Sequence, residues 1–216
     1  MCSSDLLKRI EYTQKLNAVY TPPKYTAVQL LQAYEKYFNV DLDNKYVVDN
    51  ICKYFAEDDA GMYDLNKGLM IYGNVGVGKT TLMRLFTRNQ KASYKIVSCR
   101  DIENDFSTSG DKSVATFSVN LPIAQNTSPF SQTEIGYCFD DLGTEVNGKF
   151  YGKDKNVMAE ILLDRYDNKL PYHYTHVTTN LTAADIKEQY GTRVSDRLRE
   201  MMNIVSFPTK AQSRRT

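Results

Sequence analysis

Residues 73 to 80 read Gly-Asn-Val-Gly-Val-Gly-Lys-Thr, and they follow the apolar run Leu69, Met70, Ile71 and Tyr72. This feature constrains the fold more than any other. A short apolar run that ends in glycine is the pattern of a strand buried on both faces of a parallel sheet. Thr81 then continues into a helical pattern carrying Leu82, Leu85 and Phe86. A strand, a glycine-rich turn and a helix in that order place curled backbone N–H groups at a helix N-terminus, where they can surround clustered negative charge. Gly73, Gly76 and Gly78 permit the curl, with Asn74, Val75 and Val77 between them. Lys79 is expected to reach the β- and γ-phosphates of a nucleoside triphosphate, and the Thr80 hydroxyl to bind Mg²⁺.

The rest of the chain repeats the alternation. Lys95 to Cys99, Ile135 to Phe139 and Tyr174 to Thr178 are further strand-like runs, and Val157, Met158, Ile161, Leu162 and Tyr166 mark a helix closed by Pro171. Strands alternating with helices predict an α/β fold with a mostly parallel sheet between two helical layers. Two amphipathic helices should precede the glycine-rich loop, one over residues 25 to 38 and one through Val47, Val48, Ile51, Tyr54 and Phe55. Leu6, Leu7, Ile10 and Leu16 suggest a shorter helix before the breaker Pro22-Pro23. The Ser- and Thr-rich stretch from Ser107 to Thr133 reads as a long loop with one short strand at residues 115 to 119. The expected organisation is a helical N-terminal segment, 1–42, that could bind a partner, an ATPase domain, 43–208, and a basic tail, 209–216.

Mg²⁺ that bridges phosphates needs a carboxylate at the carboxyl end of a neighbouring strand. Asp140 and Asp141 stand immediately after the run Ile135 to Phe139. Asp140 is the expected metal carboxylate, Asp141 the expected general base, and Glu145 a residue that could share or orient the base role. Taken alone, two aspartates before Gly143 could equally open a solvated turn.

Composition narrows the remaining classes. Lys and Arg total 27 against 26 Asp and Glu, so no global field steers the chain onto nucleic acid, and any such site must be a local patch. The four cysteines are far apart and form no CxxC pair, which points away from a zinc site or a disulfide framework. His173 and His176 have no third ligand near them and read as packing residues. No apolar stretch is long enough to span a bilayer, so a cytoplasmic location is expected.

Three later segments complete a pattern. Asp140 to Glu145, then Thr178-Thr179-Asn180, then Tyr190-Gly191-Thr192-Arg193-Val194-Ser195-Asp196-Arg197-Leu198 resemble the AAA+ ATPases that load bacterial replicative helicases, the DnaC-like proteins. They are equally similar to the IstB-like helper ATPases of transposons. The resemblance covers residues 45 to 208. It implies an AAA+ type P-loop fold, ATP hydrolysis with Mg²⁺, ATP-dependent homo-oligomers, and single-stranded DNA with a replicative helicase or a transposase as partners.

By that resemblance Asn180 positions water near the γ-phosphate; a neutral amide can donate to phosphate and accept from water. From the residues alone it could instead cap the helix that begins near Thr182. Arg193 and Arg197 match the arginine-finger region, with Arg197 favoured as the finger acting on a neighbouring subunit and Asp196 able to hold one guanidinium. Two other readings use the same loop: a small-molecule kinase, and a nucleotide-dependent binding module with negligible turnover.

Overall fold

The computed structural model describes residues 22–124, 127–145, 148–150 and 153–208. The expected helix around Leu6 to Leu16 and the basic tail residues Lys210, Arg214 and Arg215 lie outside them.

In chain order, α1 (Ala27–Tyr34) and α2 (Lys45–Ala56) precede β1 (Gly68–Tyr72), the glycine-rich turn and α3 (Lys79–Leu85). Next come β2 (Tyr94–Ser98), α4 (Cys99–Ser109), α5 (Asp111–Phe117), β3 (Leu121–Pro122) and β4 (Glu134–Leu142). A small antiparallel ribbon of β5 (Gly148–Phe150) and β6 (Lys153–Lys155) leads to α6 (Val157–Asp167), β7 (Thr175–Thr179), α7 (Ala183–Met201) and β8 (Met202–Ser206). The main sheet has the order β2-β4-β7-β1-β8, every pair parallel, and β3 adds an antiparallel pairing to the start of β4.

Strand residues alternate between two cores, as a pleated strand covered on both faces must. Leu69 and Ile71 of β1 and Cys138 of β4 pack with α1, α2 and α3 through Leu30, Ile51, Phe55, Leu82 and Phe86. Met70 of β1 and Tyr137 and Phe139 of β4 pack on the other side with Ile102, Phe106, Ile161, Val194 and Leu198. Leu30 and Phe38 belong to the first of these cores, so apolar packing continues across position 42.

The interval from Ser107 onward departs from the sequence expectation. The chain there is helical through α4 and α5, and the short strand falls at Leu121–Pro122 instead of residues 115 to 119. Ile102 and Phe106, four apart, and Val114 and Phe117, three apart, supply one apolar face to each helix. The hydroxyls that made this stretch look loop-like turn back onto their own helices: Ser107 donates to the Glu103 carbonyl at 3.1 Å and Thr116 to the Lys112 carbonyl at 2.8 Å. Gly110, at φ 59° and ψ −137°, makes the corner between the helices.

Arg165 on α6 then fixes this interval to the sheet. It is fully buried, donates to Thr175 Oγ1 at 2.8 Å and Asn120 Oδ1 at 2.7 Å, and reaches the carbonyls of Phe117 and Val119. Burial lowers its pKa to about 10, which leaves the guanidinium charged at neutral pH and all its hydrogen bonds charge-assisted.

Candidate active site

The glycine-rich turn leaves β1 at Tyr72 and enters α3 at Lys79, so the loop opens at the carboxyl end of the sheet's parallel strands. Gly76 and Gly78 have φ of 87° and 98°, and a Cβ on Gly78 would lie 2.9 Å from the ring of Phe38. Glycine at 78 therefore answers two demands, a left-handed backbone and an aromatic ring from the α1–α2 connection pressed against it.

Lys79 is 5% exposed, and its ammonium is fully engaged by oxygen. It donates to the carbonyls of Gly73 at 2.8 Å and Asn74 at 3.1 Å and to Asn180 Oδ1 at 2.5 Å. Asn180 is thus drawn to the loop lysine and does not cap a helix. The cap of α7 is Thr182, in a reciprocal capping box with Asp185, which supersedes the capping alternative for Asn180.

The acidic pair reaches the same place from β4. Thr80 Oγ1 donates to Asp140 Oδ1 at 2.8 Å, and Thr178 Oγ1 donates to the same oxygen at 2.6 Å. Thr178 Oγ1 also accepts from the Asp141 amide at 2.9 Å. Thr178 thereby fixes both aspartates, a role that sequence reading did not assign. The available signal was a threonine near the end of a fully buried strand, where a hydroxyl needs a partner.

Plain strand alternation would send Asp140 and Asp141 to opposite faces. The register between β4 and β7 shifts between Phe139 and Leu142, and Asp141 has φ 55°, which aspartate tolerates better than most side chains. The result is that Asp140 sits behind Thr80, 9% exposed, while Asp141 lines the cavity in front. That cavity, about 330 Å³, is bounded by Val75, Gly76, Gly78, Lys79, Thr80, Thr81, Asp141, Thr144 and Asn180. Thr144, part of the resembling segment but given no role there, donates its hydroxyl to the Asp141 carbonyl at 2.8 Å and makes residues 141 to 144 a tight turn.

Glu145 stands apart from the cavity lining. One carboxylate oxygen accepts from the Gly143 amide at 2.8 Å and the other from the Tyr190 hydroxyl.

Arg193 and Arg197 lie on the far part of α7, and neither lines the cavity. Arg193 pairs with Asp167 of α6 at 3.1 Å, with both side chains more than half exposed. Arg197 stacks over the Tyr166 ring at 4.2 Å and lies 3.6 Å from Glu200. Asp196 pairs with Arg199 at 3.9 Å and with neither of these two, contrary to expectation: Asp167 reaches Arg193 from the neighbouring helix.

His176 is fully buried among the rings of Tyr54, Phe55 and Tyr94, accepts at Nδ1 from the Leu69 amide at 3.0 Å, and leaves Nε2 without a hydrogen-bond partner. Burial lowers its pKa to about 3, so the ring is neutral, and burial likewise lowers His173 to about 4. Among the described residues no group of His, Cys, Asp and Glu could hold a metal by itself, and no helix is long and apolar enough to cross a membrane. Cys52, Cys99 and Cys138 are free and buried.

No family model and no curated protein matches the chain. Solved structures do. One is a candidate primosome component from Streptococcus pyogenes serotype M3: 17% identity, 80% of this chain and 83% of that one covered, TM-score 0.53. Another is the DnaC helicase loader: 18% identity, 81% of this chain and 95% of that one covered, TM-score 0.53. At such identities the likeness is one of fold, the α/β architecture with a mostly parallel sheet that the sequence leads one to expect.

Proposed function

We propose that the chain is an ATP-binding and ATP-hydrolysing AAA+ protein that assembles with copies of itself on single-stranded DNA and loads or remodels a replicative helicase. The observation that carries the nucleotide part is the network Lys79–Asn180 and Thr80–Asp140–Thr178 around one cavity, five side chains from three neighbouring strand ends. The helicase part is supported by the fold shared with the DnaC helicase loader.

In this reading the loop amides and Lys79 take the β- and γ-phosphates, and Lys79 exchanges its carbonyl partners for phosphate oxygen. Thr80 and Asp140 suit Mg²⁺ because they present a hydroxyl and a carboxylate oxygen, both hard donors, 2.8 Å apart. Mg²⁺, when bound there, would supply positive charge that offsets the negative charge of the phosphates. Asp141 faces the cavity and orients the attacking water as its base, whereas Glu145, with both oxygens engaged, braces the loop. Asn180 releases Lys79 to phosphate and offers its amide to the γ-phosphate and the water. Arg197, with Arg193 beside it, stabilises charge in the cavity of the adjoining subunit. Residues 43–208 carry this chemistry; residues 1–42 serve partner recognition, and the tail 209–216 adds a basic contact.

Lys79→Ala tests the core of the reading. ATP binding, followed by calorimetry, should be lost, and wild-type phosphate release should need no acceptor and should rise more than linearly with protein concentration. Strict dependence on a nucleoside acceptor would overturn ATP hydrolysis in favour of a kinase. With a non-hydrolysable ATP analogue present, the full chain should retain a hexameric helicase; retention of a transposase instead would replace the helicase role with that of a transposition helper.

A further inference from the structure

α7 is two helices in series. Gly191 within it has φ 85° and ψ 164°, a conformation open essentially to glycine alone. A Cβ there would meet nothing within 4 Å, so backbone conformation makes the break and crowding does not. The first half starts at the Thr182 cap, two residues after Asn180, and the second half carries Arg193 and Arg197.

The turn that bears Asp141 and Thr144 grips the first half at both ends. At its start, Gly143, with φ 101°, lies so close to Leu181 that a Cβ would be 2.5 Å from Leu181 Cδ1. At its end, Tyr190 donates its hydroxyl to Glu145, whose other oxygen holds the Gly143 amide. Tyr190 is 7% exposed and is the last residue before the break. Burial, with Glu145 adding to it, raises the phenol's pKa well above its ordinary value, so the proton stays on tyrosine and the bond is a charge-assisted one to a carboxylate.

Resting on the reading that Arg197 acts on a neighbouring subunit, we propose that Tyr190 is a positioning residue: held by Glu145, it sets the angle at which the Arg193–Arg197 half of α7 leaves Gly191. The turn that lines one subunit's nucleotide cavity thereby orients the arginines this same subunit offers to the next. A buried tyrosine satisfying its hydroxyl for packing alone would act on stability and nothing else. The position of this one, between the acidic turn and a glycine-only break, gives it a directional effect that packing would not have.

Mixed oligomers separate the two. Lys79→Ala protein can donate arginines but cannot use ATP, and Arg197→Ala protein can use ATP but cannot donate, so mixing them should restore hydrolysis. Adding Tyr190→Phe to the Lys79→Ala partner should lower the restored rate tenfold or more. Adding it to the Arg197→Ala partner should lower the rate by a clearly smaller factor, because Glu145 there keeps its bond to the Gly143 amide. Gly191→Ala, which strains the break without touching Glu145, should show the same donor-side loss, and melting temperatures check that each variant is folded. Equal effects on both partners, or none on either, would overturn the proposal and leave trans arginine action standing. If Lys79→Ala and Arg197→Ala restore nothing while mixed oligomers form, the trans reading itself fails, and the positioning role falls with it.

Discussion

The cavity side and the arginine side of this molecule are built in opposite ways. Around the cavity, Lys79 and Asp140 are buried, each bonded to at least two partners, and held by residues of the glycine-rich turn, the start of α3 and the end of β7 with Asn180 just beyond it. On the far half of α7, Arg193 and Arg197 are partly exposed and, among the described residues, held by Asp167, Glu200 and the Tyr166 ring. Buried, multiply bonded charges are held in place, and under the proposed function Lys79 would trade its carbonyl and Asn180 bonds for phosphate oxygen without leaving the loop. Exposed ion pairs are screened by solvent and exchange partners at little cost. One side is a rigid, internally bonded frame, and the other is a set of cations able to leave their present partners for a stronger anion.

The contrast is broken most severely at Arg197. In the proposed oligomer, Arg197→Ala should lower hydrolysis about 10³-fold, near the lower end of what trans arginines contribute. The affinity of isolated subunits for ATP should be unchanged, since Arg197 is outside the cavity lining. Stopped-flow phosphate release beside equilibrium nucleotide titration separates the two effects. A matching loss of affinity in the monomer would place Arg197 in its own subunit's site and erase the comparison.

A second effect belongs to the buried side. The pKa of His176 is lowered by burial to about 3, below the value near 6.5 of an unfolded histidine. Between those values the unfolded chain binds a proton that the folded chain refuses, so stability falls as pH drops below about 6.5. By pH 5 this one group should remove about 2 kcal/mol relative to pH 7. Urea unfolding at the two pH values measures it, and His176→Gln should flatten that limb. An unchanged slope in the variant would assign the acid loss to other groups.

The smallest effect is expected at the arginine tether. Asp167→Asn removes the Arg193 partner, and because the pair is exposed it should change folding stability by less than about 1 kcal/mol. Hydrolysis in the oligomer should stay the same or rise as Arg193 is released. A large loss of stability would mean that the arginine side is as firmly built as the cavity side.

How much of this is legible in the sequence follows the same division between local and distant signals. β1, β2, β4 and β7 are legible as short strand-like runs, and the loop from Gly73 to Thr80 because its glycines and lysine lie within eight consecutive positions; β8, which follows directly on α7, is not among the strands read from the sequence. The paired helices α4 and α5, between β2 and β3, are obscured by hydroxyls that satisfy themselves on helix carbonyls, so their polarity imitates that of a loop.

The Thr178 link to Asp140 and the Glu145 link to Tyr190 join residues 38 and 45 positions apart, and no window of local pattern contains both partners. The same holds for the tether of Arg193 by Asp167, which spans two helices. Asp140 and Asp141 stand out as candidates because they follow a strand-like run, whereas Asn180 enters through the family resemblance. The bulge that turns Asp141 into the cavity is a property of strand register, which the sequence does not display.

The Phe38 ring against Gly78 has a mechanical consequence. The ring belongs to the connection between α1 and α2, and Leu30 anchors α1 in the same core. A displacement of the chain ahead of β1 would therefore meet the glycine-rich turn one residue from Lys79. Under the proposed function, the fit of that loop to nucleotide and the position of the leading helices would be linked through one aromatic ring.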